Sequence, residues 1–513
     1  MDTNHYDVVV CGGELTGLVT AALLGRRGYR VLLIGGEADR PTFEAGGHVL
    51  ARGPALLPPI GTPTVARVLQ DLNCVQIVKR RAPALAPAFQ IVMPRHRFDV
   101  GADTEALGRE LSREFGGERA VIEAALARVA STSALVDPLL ATEITLPPDG
   151  FWERREVARL ESLLPKRGTD PLAPLPPHHP MRAVVAAPAV LAGAVAPHEL
   201  RANVGQARAF ELARQGLCRF EGGYGALHAL FREKLETFSG ERREKVAPVE
   251  VVMRRGRAAG VRVRPRDETI GCEHLVWAGS AAALHAVCAE KPPRRGPLGA
   301  PGLRVEGYRY TVAMLIGPEA LPEGMGERVF LITDPTRPLV EENALAVTVG
   351  QPAPRQPEQI PLWVECIVPA APVHAGSGYL RALRGRVVER LETLLPFFRR
   401  HLIVIASPHD GLPPELDAQA TKPAAPSKKG APAAPAVSTL PLAPVYASEG
   451  DSPFDVSALP HATGIKNLYL AGLENLPGLG LEGELVSAWG VSRLIAGGQP
   501  RRDPLRREVL ISE

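Results

Sequence analysis

YDVVVCGGELTG, Tyr6 to Gly17, decides the fold. Tyr6 to Cys11 is a near-continuous apolar run broken by one acid, the mark of a strand buried on both faces. Gly12 and Gly13 turn the chain. Leu15 to Arg27, rich in Leu and Ala, predicts a helix stopped by Gly28. Val31 to Ile34 predicts a second apolar strand ending at Gly35-Gly36. Strand, turn, helix and strand within about 30 residues make a βαβ unit, the opening of a doubly wound sheet.

Such a unit holds a dinucleotide through three glycines, G-x-G-x-x-G, after the first strand. The first makes the tight turn, the second lets backbone approach the pyrophosphate, and the third lets helix pack on sheet. Gly12 fills the first place and Gly17 the third, but Glu14 stands in the second. A carboxylate there crowds and repels a pyrophosphate. It also reads as an N-terminal helix acid that complements the dipole. The acid expected on the ribose hydroxyls falls at Gly35, with Glu37 two residues later, able to replace it if a bulge shifts the register.

Further along, Thr104 to Phe115, Glu118 to Val129, Gly225 to Phe238, Gly378 to Leu395 and Leu481 to Ile495 predict helices. Val246 to Met253 and Ala259 to Arg264 predict a hairpin. Tyr308 to Ile316, Arg328 to Thr333, Ala344 to Val349 and Leu362 to Val368 predict a meander. From 412 to 442 Pro, Ala, Lys and Ser take over, which predicts an extended or disordered linker.

The 59 basic and 56 acidic residues in 513 leave a net charge of +3, no footprint for nucleic acid. Arg262, Arg264 and Arg266 alternate as an exposed strand face, without interleaved aromatics. Six cysteines with no CxxC pair argue against a disulfide framework or zinc site and for a reducing, cytoplasmic setting. His178-His179 reads as a solvated loop and His228 as a satisfied boundary residue, so no metal is expected. No G-x-S-x-G elbow supports hydrolase chemistry. The acidic start is not a signal peptide. Ala183 to Pro197, the most apolar stretch, is too short to span a bilayer and is broken by Pro188. Peripheral contact with a membrane surface remains open.

Five segments together resemble the two-domain FAD-dependent oxidoreductases that include amine oxidases, protoporphyrinogen oxidase and phytoene desaturases. They are Tyr6 to Ile34; Ala51-Arg52-Gly53-Pro54; Phe220 to Leu227; Pro248-Val249-Glu250 with Gly256 to Val261; and Asn467 to Gly472 with Pro477 to Gly483. The phytoene-desaturase branch is the most similar. The resemblance implies an α/β, glutathione-reductase-like FAD/NAD(P)-binding Rossmann domain with a mixed-sheet (α+β) substrate domain. It implies a first domain from 1–105, 205–300 and 445–500, and a second from 106–204 and 301–411. It implies FAD contacts at Gly12, Gly13, Glu14, Gly17, Glu37, Arg52, Gly53, Val249, Gly472, Leu473, Gly478, Gly480 and Gly483, with Val249 on the adenine and the last helix facing the flavin. Leu473 replaces the family's acid beside the ribityl chain. The expected activity is hydride transfer from an apolar substrate to flavin; no catalytic acid or base is named. The departures at Glu14, Gly35 and Leu473 support the alternative, a flavin-free pseudoenzyme that resembles the dissociation inhibitors and binds a lipid or protein partner.

Overall fold

The computed structural model describes residues 4–36, 40–166, 168–196, 204–288, 298, 303–376, 378–416, 440–447, 454 and 458–497. The chain builds a mixed α/β structure around two large sheets.

The first sheet holds the opening unit: β1 (His5–Cys11), α1 (Leu15–Arg26) and β2 (Val31–Gly35). α2 (Gly223–Thr237) leads into β3 (Glu241–Glu244), β4 (Ala247–Arg254), β5 (Arg257–Arg264) and β6 (Glu268–Ala278). β7 (Leu468–Ala471) and α3 (Gly480–Gly497) close it. The strand order is β4-β5-β6-β1-β2-β3, with β7 beside β6. β1 runs parallel to β2 and β6, β2 to β3, and β6 to β7. The hairpin β4-β5 packs antiparallel on the first half of β6. One long strand thus joins an antiparallel ribbon to a parallel sheet.

α1 is buried from Leu15 to Gly25, because α2 and α3 flank it above the sheet. Two glycines permit that packing. A Cβ on Gly17 would sit 1.9 Å from the Gly12 carbonyl oxygen, and one on Gly12 (φ +122°) 2.1 Å from that of Ala278. Backbone meets backbone here, so no larger residue fits.

Among the described residues the second sheet has nine strands. The four runs expected as a meander are all strands, but their order differs. Val305–Ile316 pairs with Ile360–Pro369, and Arg328–Ile332 lies at the far side, parallel to Phe89–Val92. The hairpin Phe89–Val92/Arg97–Val100 therefore belongs to this sheet, although it lies within the 1–105 segment assigned to the first domain. Ala443–Tyr446, at the edge of the 445–500 segment, does too. In both cases apolar strand faces are drawn to the second core. Helices Arg119–Ala134, Pro180–Ala192 and Val204–Arg214 cover one face of the sheet, with Phe89, Phe210 and Phe330 between. Gly378–Glu392 covers the other.

Two further expectations are corrected. Pro188 does not break the apolar stretch: it lies inside the helix Pro180–Ala192. His179 is no solvated loop residue. It is buried at that helix's N-cap, its Nδ1 accepts from Met181 N–H (3.1 Å), and its Nε2 meets Glu118 Oε2 at 2.7 Å. The 412–442 segment is partly ordered at its start, where Glu415–Leu416 pairs with Leu402–Ala406; residues 417–439 lie outside the described residues. The stretch Thr104–Ala141 is apolar enough to cross a membrane by composition, but Gly116 (φ +49°) divides it into separate helices.

Candidate functional site

Open parallel sheets bind ligands beyond the carboxyl ends of their strands. At that edge β1 ends in Cys11 and β2 in Gly35, and the first turn of α1 points its free N–H groups outward. Glu14 is the N-cap residue of α1, yet its side chain makes no capping bond. It reaches across the cleft instead. Arg52 Nη1 donates to Glu14 Oε1 (3.0 Å), and the Tyr224 hydroxyl donates to Oε2 (3.2 Å). The expected helix-capping role is thus replaced by a bridge between α1, the 51–54 loop and α2. Its carboxylate lies before the helix N-terminus, where a phosphate would gain most from the dipole.

α2 contributes one face to this cleft. Tyr224, His228 and Arg232 recur every four residues, so they share a side of the helix. The Tyr224 and His228 rings lie 4.6 Å apart. Burial drives the Tyr224 phenol pKa well up, and Glu14 and Glu484 add to the rise. Burial also pushes His228 down to about 4, helped by the charges of Arg52 and Arg232. His228 is only 7% exposed, and its Nε2 has no hydrogen-bond partner. That corrects the reading of a satisfied boundary residue.

His228 lines a pocket of about 90 Å³ with Gly13, Gly35, Gly36, Arg40, Arg232, Arg242, Glu244 and Lys245. The position of the missing ribose acid is therefore ringed by cations. Glu244, the one carboxylate in that lining, is paired with Arg242. Glu37 lies outside the described residues. Val249 does not reach this pocket: it is half-buried at the irregularity where β4 slips register between Pro248 and Glu250. Gly53 is half-buried beside Arg52 with open space at its Cα. A larger groove of about 370 Å³, lined by Arg257, Cys272 and Asn467, lies away from the carboxyl ends of the strands.

The C-terminal glycines are accounted for by packing. A Cβ on Gly478 would sit 1.8 Å from the Phe454 carbonyl oxygen, and one on Gly483 2.3 Å from that of Leu476. Gly480 takes φ +53° at the start of α3. Gly472 takes φ +138°, and its N–H donates to Ser487 Oγ (2.9 Å). Leu473 packs beside Ala194, Val195 and Tyr446. Nearby, Glu474 accepts from Ala281 N–H (2.7 Å) and the Tyr446 hydroxyl (2.8 Å). Glu482 is fully buried and accepts from Arg208 Nη2 and Nε at 2.8 and 2.9 Å. Glu484 accepts from Thr16 Oγ1 (2.9 Å), and burial raises its pKa.

Sequence reasoning brought Gly12, Gly13, Glu14, Gly17 and Arg52 to one edge, and the structure places them there. It missed His228, Arg232, Arg242 and Lys245. The i, i+4, i+8 spacing of Tyr224, His228 and Arg232 was the available signal. Among the described residues no group of three or more His, Cys, Asp or Glu side chains converges to hold a metal.

No family model matches the chain, and no curated protein matches it. Solved structures do. An oxidoreductase from Methanosarcina mazei superposes with a TM-score of 0.58 at 16% identity, over 94% of this chain and 99% of that one. Putrescine oxidase, in a variant from a redesign of its cofactor binding, superposes at 0.53 and 14% identity, over 96% and 99%. At such identities the likeness is one of fold. The chain shares the fold of these two oxidoreductases.

Proposed function

We propose that this chain is an oxidoreductase of the flavin type. It would hold a dinucleotide along the carboxyl edge of β1 and β2 and accept hydride from an apolar substrate. The observation that carries the reading is the pocket that opens between Gly13, Gly35 and Gly36, with Arg52 in front of the α1 N-terminus. The residues fit a dinucleotide once the Glu14 side chain, 42% exposed, turns away from Arg52 and Tyr224. Arg52 then neutralises phosphate charge, with the N–H groups of α1 beside it. Tyr224 holds its proton against the neighbouring carboxylates and donates it as a hydrogen bond. Bound FAD would supply the hydride acceptor; the phytoene-desaturase type of substrate is part of this proposal, as is a division into two domains in which the Phe89–Val100 hairpin and Ala443–Tyr446 go with the second.

One observation favours a second reading. The Glu14 carboxylate already supplies the anion that Arg52 and the helix end would otherwise take from a ligand. The chain would then be a flavin-free binding protein for a lipid or protein partner. Phe151 and Trp152, more than 70% exposed beside Arg154 and Arg155, suit such a surface.

Absorbance from 300 to 550 nm, with FAD added and excess removed, separates the two. Retained flavin bands support the oxidoreductase. A colourless protein that resists reconstitution overturns it in favour of the second reading.

A further inference from the structure

We propose that the helix Phe151–Glu161 is a membrane-docking element, which lays its outer face on a bilayer that carries anionic phospholipid. Of the partners left open above, this commits to a lipid surface, and it stands whether or not the cleft holds flavin.

The helix has two sides. Val157 and Leu160 are buried in an apolar cluster with Leu139, Leu146 and Leu479. At about 100° per residue, Phe151, Trp152, Arg155, Ala158 and Arg159 fall on the opposite side, and each of them is exposed. Phe151 and Trp152 are 71% and 73% exposed. Their rings meet edge to face, 5.4 Å between centroids, so the helix starts with one joined aromatic surface in water. Leu163, 56% exposed, and Lys166 follow the helix.

Charge on this side has one sign. The carboxylates of the helix, Glu153, Glu156 and Glu161, each lie more than about 90° around from Arg155. Glu153 turns back to accept from the Thr145 and Asp149 N–H groups (3.3 and 3.2 Å). Glu156 accepts from Arg159 Nε at 3.0 Å, and Glu161 is half-buried. Asp149, exposed before the helix, sits beside Arg154, whose Nη2 donates to its carbonyl oxygen (2.7 Å). Arg155 and Lys166 have no ion-pair partner among the described residues.

Two features select a bilayer over a protein. Phe, Trp and Arg are side chains that rest at headgroup level, with the apolar body toward the acyl chains and the guanidinium at the phosphates. The outer face is also small. A helix of 11 residues presents roughly 16 Å by 10 Å, well short of the ~800 Å² per partner of a stable protein interface, whereas rings entering lipid need no such area.

Sedimentation of the full chain with vesicles tests the proposal, using phosphatidylcholine alone and phosphatidylcholine mixed with phosphatidylglycerol. Expected is binding to the mixed vesicles roughly tenfold or more tighter than to phosphatidylcholine. Trp277, Trp363 and Trp489 are buried, so a blue shift of tryptophan emission on adding vesicles reports Trp152. Joint replacement Phe151→Ser and Trp152→Ser should abolish the shift and weaken binding by about tenfold or more. Arg155→Ala should weaken it about fivefold. Far-UV circular dichroism and the melting curve should not move, since these side chains are exposed. Equal binding to both vesicle types overturns the anionic headgroup. Wild-type binding by the aromatic double variant overturns the placement, and no binding by the wild type overturns the proposal whole. A dimer in sedimentation equilibrium that the double variant dissolves overturns it in favour of a second copy of this chain. Flavin retention, read on the same preparations, moves independently. Vesicle binding without flavin bands sinks the flavin reading alone, and flavin bands without vesicle binding sink this inference alone.

Discussion

Arg52 and Glu14 meet at 3.0 Å in front of the first turn of α1. Two side chains 38 positions apart thereby close the place where a helix end attracts anions. The contact is a gate on ligand binding more than a brace for the fold. With Glu14 42% exposed, it contributes at most about 1 kcal/mol.

Glu14→Gly should free Arg52 and restore the glycine that approaching backbone needs. The expected result is FAD affinity raised by about tenfold or more, with thermal stability changed by no more than about 1 kcal/mol. Flavin fluorescence quenching gives the first number and a melting curve the second. Unchanged affinity would mean that Glu14 does not obstruct the cleft.

Arg208 and Glu482 behave differently, because neither sees solvent. Arg208→Ala leaves the Glu482 carboxylate buried without its guanidinium, at a cost of about 3–5 kcal/mol. Replacing both with apolar residues should recover most of that loss. Urea unfolding of the single and double variants checks both statements.

Gly17→Ala asks for space that the backbone already occupies, 1.9 Å from the Gly12 oxygen. α1 would have to lift from β1, against a continuous apolar core. The expected loss is about 3 kcal/mol or more, or failure to accumulate as soluble protein. Gly53→Ala, whose Cβ meets open space, is the matched control and should melt close to the wild type.

His228 predicts a pH dependence with a definite sign. Its folded value, about 4, lies below the ordinary value of 6.5, chiefly through burial. Between those values the unfolded chain binds more protons, so stability rises with pH from about 4 to 6.5 and then levels off. The full effect is about 3 kcal/mol. His409, also lowered to about 4 by burial, acts over the same window. His228→Asn should therefore flatten part of the profile, as unfolding curves at pH 4.5 and 7.5 would show.

Local signals were enough for the opening unit. Val8 to Val10 and Val31 to Ile34 are apolar without interruption because both faces of a parallel sheet are covered. The order of the second sheet was less legible. Nothing in Arg328–Ile332 says that its neighbour is Phe89–Val92, more than 200 residues earlier, because pairing is decided by which face reaches the shared core. The basic pocket was hidden for a related reason. Its cations are scattered over α2, β3 and the chain after β2, and each alone looks like a solvated charge. Glu14 was flagged by the glycine pattern, but its partners were not, since Arg52 and Tyr224 reach it only in three dimensions. Pro188 misled because its helix is held by surrounding apolar packing and outlasts one missing N–H.

The contact between Thr16 and Glu484 spans 468 positions, and Tyr29 reaches across to the Ile495 carbonyl. α1 is thus covered by an element that leaves the ribosome more than 450 residues after it. Until α3 emerges, the apolar flank of α1 has no permanent neighbour. The nascent chain must wait for α3, a slow route of high contact order on which chaperones would find that flank exposed.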